Sequence, residues 1–222
     1  MKHYRSSIPK TARERITATW ITGPQKYKAK YLLNRKVVGI RYFHETGEIS
    51  REQPLKNALV HGIVYRSDEP GKLLSAEPYR NGLPHGVAKQ WSDDGKLMGT
   101  YSMKHGTGLD LWWQDYQEGP PHLAEARYLQ HGKWHGFTWW LHGDHTIWEE
   151  QHFWNGKQHG IERHWSQGRL RRGYPRYWIN DTPVTKRQYI RACASDPSLP
   201  PFREKDNRPR RRFPPEIRDH LN

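Results

Sequence analysis

The sequence predicts an all-β protein: an elongated antiparallel β-meander of two-stranded repeats, followed by a short C-terminal helix and an extended basic tail. Two kinds of phrase recur along the chain, one containing Asn-Gly and one containing Asp-Gly, and both are turn signals. The apolar content is dominated by 11 Trp and 12 Tyr, against 5 Phe. Amphipathic rings of this kind suit a sheet with one packed face and one wet face.

The repeat phrase is clearest at residues 79–86, which read Tyr-Arg-Asn-Gly-Leu-Pro-His-Gly, and at 153–160. A third copy, with one insertion, occupies 128–136. The closing glycines, spaced by 23, 24, 22, 28 and 24 residues, are Gly39, Gly62, Gly86, Gly108, Gly136 and Gly160. The longest spacing contains an insertion at 116–122, which we expect to be a surface excursion.

The second phrase marks the other end of each unit, as in Asp94-Gly95, so each repeat is predicted to hold two strands. In the best unit, residues 87–91 form the outgoing strand and 96–101 the return. An N-terminal half unit is predicted from strands at 16–20 and 27–33.

The organisation predicted from these signals has four parts. Residues 1–15 form a basic N-terminal arm and residues 16–180 the repeat array. Residues 181–196 contain a helix that caps the terminal sheet edge, with Thr185 and Gln188 as a capping box. Residues 197–222 are rich in Pro and Arg and are predicted to be an extended or disordered tail.

The phrase Tyr-x-Asn-Gly-Lys-x-His-Gly, with the Asp-Gly-Lys-Leu turn that follows, resembles the bacterial variant of the MORN repeat. The resemblance covers residues 30–180 and is most specific at 79–101 and 153–170. It implies a curved β-meander without catalytic residues of its own. Some bacterial proteins with this repeat are described as antitoxin-like.

The composition restricts the class of protein. Hydrophobic residues make up 34% of the chain and charged residues 27%, which leaves little to fill a large core. Cys193 is the single cysteine, so no intrachain disulfide can form and a cytoplasmic location is expected. We expect no signal peptide and no membrane span, because the charged residues at the start of the sequence are followed by no apolar stretch of 7 to 15 residues. Much of the net charge of +14 lies at the ends: residues 1–30 carry eight basic and one acidic residue.

Fourteen histidines suggest a metal site, but four of them, His61, His85, His135 and His159, share one repeat slot. Successive copies would lie about 10 Å apart, too far to share an ion. We expect them to be turn side chains that bond a neighbour. His142, Asp144, His145 and His152 form the densest remaining cluster, and a loop tip is the expected role. No metal, no cofactor and no enzyme activity are predicted.

The tryptophans are the remaining signal. Trp112-Trp113 and Trp139-Trp140 are adjacent pairs, and adjacent residues on a strand point to opposite faces. The wet face should therefore carry rings too. One interpretation is a structural ladder of rings, and the other is a partner-binding platform. The candidates for partner binding are Trp91, Trp113, Trp140 and Trp165.

The sequence thus predicts a non-enzymatic module that binds a protein partner, with antitoxin-like neutralisation of a toxin as one version. The alternatives are nucleic-acid or ribosome binding through the basic ends, and peripheral binding to an anionic membrane. Both would use the basic ends, for which the candidates are Arg13, Arg15, Arg208, Arg210, Arg211 and Arg212. The oligomeric state is left open.

Overall fold

The computed structural model describes residues 3–115 and 120–221. These form two compact units, Met1–His105 and Gly106–Asn222. The predicted insertion at 116–122 lies mostly outside the described residues. Within the described residues, no helix is long and apolar enough to cross a membrane.

The first unit is an antiparallel meander in which each strand pairs with the next along the chain. Its strands are β1 (Arg13–Thr19), β2 (Lys26–Leu33), β3 (Lys36–Phe43), β4 (Ile49–Lys56), β5 (Leu59–Val60), β6 (Gly62–Arg66), β7 (Ser75–Arg80), β8 (Leu83–Pro84), β9 (Gly86–Trp91) and β10 (Leu97–Lys104). The short β5 and β8 are the first residues of strands that resume as β6 and β9.

The second unit continues the same pattern. Its elements are β11 (Thr107–Gln114), β12 (His122–Gln130), β13 (Lys133–Leu141), β14 (Ile147–Trp154), β15 (Lys157–Gln158), β16 (Gly160–Ser166), β17 (Arg169–Leu170), β18 (Arg176–Ile179), β19 (Thr182–Val184), helix α1 (Lys186–Cys193), a 3₁₀ turn (Glu204–Asn207) and helix α2 (Pro215–Arg218). The prediction of an all-β antiparallel meander with a short C-terminal helix is confirmed.

The Asn-Gly phrase forms tight turns whose two central residues both have positive φ, as at Asn81 (51°) and Gly82 (85°). These are the dihedral signs of a type I′ turn, which matches the twist of a hairpin. The turn at 57–58 has Ala58 at φ 63° where the turns at 81–82, 105–106, 131–132 and 155–156 have glycine. An L-residue with a Cβ is disfavoured in this region.

Ala58→Gly is therefore expected to stabilise the protein by about 1 kcal/mol, because glycine occupies positive φ without a steric penalty. The midpoint of urea unfolding measures the change. Ala194→Gly is the matched control, since Ala194 is also exposed but has φ of −72°. Equal shifts of the urea midpoint in the two variants would contradict the attribution of the gain to the positive φ at position 58.

The histidine that precedes the closing glycine of each repeat phrase joins one turn to the next. His61 Nδ1 accepts a hydrogen bond from the backbone N–H of Asn81, 20 residues later, and His85 does the same for His105. In the second unit His135 accepts from Asn155 N–H and His159 from Asn180 N–H. The expectation of a turn side chain that bonds its neighbour is confirmed, and the neighbour is the turn of the following repeat.

The repeat phrase ends in a His-Gly pair, and the strand is interrupted at that histidine, as between β15 and β16. The glycine that follows is required for steric reasons. Gly160 has φ of 150°, and a Cβ there would lie 2.6 Å from the Cβ of His152. The backbone N–H of His159 then bonds the carbonyl of His152, at 2.9 Å. The recurring His-Gly pair thus keeps a backbone hydrogen bond to the preceding strand at the point where its own strand is interrupted.

In the first unit the N-terminal segment, residues 3–12, crosses one face of the sheet. Ile8 packs against Tyr31 and Phe43 in a buried cluster. Tyr4 Oη donates to the buried Glu52 at 2.5 Å and its ring contacts Tyr65. The predicted arm of 1–15 is therefore wrong in two respects: its first part packs on the sheet, and Arg13 and Arg15 belong to β1.

In the second unit the C-terminal tail, residues 197–221, crosses one face strand by strand. Leu199 joins a buried cluster with Ile161 and Tyr177, and Phe213 packs edge-on to Trp139. His220 contacts Trp113. The tail was predicted to be extended or disordered, and it is instead packed on the sheet, because Leu199, Phe213 and Ile217 bury apolar side chains there.

Helix α1 begins as predicted, with a capping box between Thr185 and Gln188. Its Tyr189 is fully buried and its ring lies 5.2 Å from that of Tyr177. Ile161 and Val184 belong to the same cluster. These contacts place the helix on a face of the last strands. The prediction had placed it along the terminal edge of the sheet.

Candidate protein-binding face

Each unit has a covered face, which the terminal segment crosses, and an open face on the other side of the sheet. Alternation along β13 separates the pair Trp139-Trp140: Trp139 is buried on the covered face and Trp140 is half-buried on the open face. Trp113 and Trp112 separate in the same way. The prediction that adjacent tryptophans place a ring on each face is confirmed.

Three of the four predicted partner-binding tryptophans lie on the covered faces. Trp91 is 6% exposed and stacks on His3, and Trp113 is 6% exposed beneath His220. Trp165 is 4% exposed and donates from Nε1 to the carbonyl of Asn207 at 2.7 Å. These rings are packed against the terminal segments and are not on a wet face. Trp140 alone among the four is partly exposed.

The open face of the second unit carries a row of half-buried rings around Trp140. Trp140 lies 6.1 Å from Trp148, Trp148 lies 6.0 Å from the ring of His164, and His164 lies 5.0 Å from Tyr174. A register shift between Trp140 and Leu141 brings Trp148 into this row. Only Trp140 of this group was singled out from the sequence.

Carboxylates lie between the rings on the same face. Glu149 pairs with His164 at 3.0 Å, and Glu162 accepts from Trp178 Nε1 at 2.7 Å. Further along the sheet, Arg127 contacts Glu125 at 3.0 Å and Asp110 at 3.6 Å. Strand pairing puts four carboxylates and two arginines, Arg127 and Arg176, on this face. The face is therefore acidic, although the whole chain has a net charge of +14.

Glu149, Glu162 and His164 also form a group whose ligand atoms all lie within 4.8 Å of one another. Two carboxylates and an imidazole are a donor set that can hold a divalent cation. Each group already has a protein partner, since Glu149 accepts from Gln151 and bonds His164 while Glu162 bonds Trp178. The three therefore belong to the hydrogen-bond network of the open face.

The other predicted histidine cluster is not brought together. His142, Asp144 and His145 lie in the turn between β13 and β14, where Asp144 accepts from Thr146 and its pKa is lowered by that bond. His152 lies on the covered face, where burial lowers its pKa. The expected loop tip is confirmed for the first three residues, and His152 belongs to a different environment.

The predicted basic residues divide into three groups. Arg13 and Arg15 are exposed on β1, and Lys30 is paired opposite Arg15. Arg208, Arg210 and Arg212 are exposed on the tail. Arg211 is different: it bonds the buried Glu150 through Nε and Nη2, both at 3.0 Å, and holds the tail on the sheet. Glu150 was not identified from the sequence as a site residue, because it belongs to no recognisable motif.

The fold and these faces define a β-repeat protein with one open, aromatic and acidic face in its second unit. No protein-family model matches the chain, and comparison with curated proteins gives no match. The resemblance to MORN repeats therefore stays a prediction from the residues of the repeat.

Proposed function

We propose that the protein is a non-enzymatic interaction module that binds a protein partner through the open face of its second unit. The observation that carries this proposal is the row of rings Trp140, Trp148, His164 and Tyr174, half-buried and uncovered by the tail. Clustered aromatic side chains at the centre of a surface are the usual anchors of protein interfaces. Antitoxin-like neutralisation of a toxin is one version of this role, and a cytoplasmic location is part of the proposal.

The charge of the face favours a partner segment rich in Lys or Arg. Carboxylates of Glu149 and Glu162 lie beside the rings, and cations bind both to carboxylates and to the faces of aromatic rings. The same carboxylates would repel phosphate groups, which disfavours nucleic acid at this face.

Photo-crosslinking in the source cells tests the proposal. A photoreactive amino acid at position 140 is expected to capture a protein that the same group at position 154 does not. Trp154 is the matched control because it is an exposed tryptophan beside a turn, away from the open face. Identical capture from both positions, or no captured protein from position 140, would overturn the proposal.

The captured partner then allows a quantitative test. Trp140→Ala is expected to weaken binding by about tenfold or more, as buried aromatic anchors do, whereas Trp154→Ala is expected to change it by about twofold or less. Isothermal titration of the purified proteins measures both. A Trp140→Ala variant that binds like the wild type would place the interface elsewhere.

Nucleic acid is a second candidate, and the observation that favours it is the exposed row of Arg13, Arg15 and Lys30 on β1 and β2 of the first unit. Binding through these cations should fall steeply with salt. Arg13→Ala with Arg15→Ala should reduce the slope, and a salt-independent constant for RNA would contradict this candidate. Peripheral binding to an anionic membrane would use the same residues and stays a third proposal.

A further inference from the structure

A cavity of about 810 Å³ lies between the covered face of the second unit and its C-terminal tail. It is separate from the open face, which lies on the other side of the sheet. Its volume is in the range of sites that hold a small organic molecule.

The cavity is strongly basic. Seven arginines and lysines line it, against the two acidic residues Glu150 and Asp206. Glu150 is already engaged by Arg163 at 2.6 Å and by Arg211 at 3.0 Å. The five remaining cations are exposed and have no ion-pair partner among the described residues: Arg203, Lys205, Arg208, Arg210 and Arg212. Like charges that line one cavity favour an anion between them.

The buried side chain of Arg163 is an independent observation that points to an anion. Its side chain is 2% exposed and lines the cavity. Nη1 bonds Glu150 and Nε bonds Asn207, but the buried Nη2 has no hydrogen-bond partner. A buried charged donor without a partner is costly, and an anion in the cavity could supply the acceptor.

The floor of the cavity is aromatic. Phe137 and Trp139 both line it, and their rings are nearly parallel, with centroids 5.3 Å apart. Trp139 Nε1 donates to Glu150 at 2.8 Å, which fixes the orientation of the indole. Such a floor offers apolar contact to a flat ring, while the cations of the tail are placed for phosphate groups.

We propose that this cavity binds a small ligand of the nucleotide class, with its phosphates on the tail arginines and its base against Phe137 and Trp139. The phosphates would also meet Nη2 of Arg163. This site is independent of the protein partner proposed for the open face.

Isothermal titration of the full chain with three probes tests the proposal. ATP carries both chemical features, tripolyphosphate only the phosphates, and adenosine only the ring. We expect ATP to bind, tripolyphosphate to bind about tenfold more weakly, and adenosine to give no measurable heat. Equal affinity for ATP and tripolyphosphate would overturn the nucleotide assignment, and the absence of ATP binding would overturn the site.

Charge-matched variants locate the binding. Arg208→Glu with Arg210→Glu is expected to weaken ATP binding by about tenfold or more, because two phosphate contacts are reversed in sign. Arg169→Glu with Arg172→Glu changes the net charge equally at exposed residues that do not line the cavity. Equal losses in both pairs would show that ATP responds to overall charge, and would overturn the proposal.

Discussion

Glu150→Gln is expected to lower the free energy of unfolding of the second unit by about 3–5 kcal/mol. Glu150 is 2% exposed and accepts from Arg163, which is also 2% exposed, and from Arg211 of the tail. An amide of the same shape removes the negative charge and leaves the guanidinium of Arg163 buried without compensation. Urea unfolding measures the loss, and amide exchange should place it on β14 and β16.

A double variant separates the lost charge from lost packing. Replacing Glu150 and Arg163 together, as Glu150→Leu with Arg163→Met, is expected to recover part of the stability, because apolar side chains of similar size carry no desolvation penalty. Arg211 and Trp139 Nε1 still lose their acceptor in this variant, so the recovery is not complete. Glu204→Gln is the surface control: its pair with Lys186 spans 3.9 Å, Glu204 is 78% exposed, and the amide oxygen can still accept from Asn207, so the expected change is within about 0.5 kcal/mol. A loss for Glu150→Gln no larger than this would contradict the structural role of the network.

The first unit uses the same arrangement at its own terminal segment. Glu52 is fully buried and accepts from Tyr4 and Ser6 of the N-terminal segment, and it also pairs with Arg41 at 2.7 Å. Burial, reinforced by the hydrogen bond to Glu52, raises the pKa of Tyr4, which keeps its phenol a donor. In each unit a buried glutamate therefore ties an irregular terminal segment to one face of the sheet.

The local part of this structure could be predicted from the sequence, because turns and caps are fixed by residues close together in the chain. Asn81-Gly82 and Asp94-Gly95 specify their turns through allowed φ, and Thr185 with Gln188 specifies the start of α1. The histidine slot could be read as structural because the same residue recurs at the same position. Its bond to a turn 20 residues later follows from the repeat spacing.

The choice of open face could not be predicted in this way. It depends on contacts between residues far apart in the chain, such as Arg211 with Glu150, 61 residues away. The Pro and Arg content of the tail predicted an extended or disordered segment, whereas the buried Phe213 and Ile217 pack it against the sheet. Once the tail is placed, Trp113 and Trp165 are covered, and Trp140 becomes the candidate for binding.

Tyr189→Ala is expected to cost about 3–5 kcal/mol, the range for removing a large aromatic side chain from a core. Tyr189 is fully buried among Ile161, Tyr177 and Leu199, so its removal opens a cavity where α1, the sheet and the start of the tail meet. Its hydroxyl also donates to the carbonyl of Pro200 at 2.6 Å. The loss should therefore loosen the tail as well as the helix.

Two variants of the same helix resolve the contributions to that loss. Tyr189→Phe keeps the ring and removes only the bond to Pro200, so about 1 kcal/mol is expected. Ile190→Ala removes an apolar side chain that is 49% exposed, and a change within about 0.5 kcal/mol is expected. If Tyr189→Ala were no more destabilising than Ile190→Ala, α1 would not be an anchor of the tail. If the expected order holds, amide exchange in the alanine variant should rise in residues 199–213 together with α1, because Tyr189 joins the two.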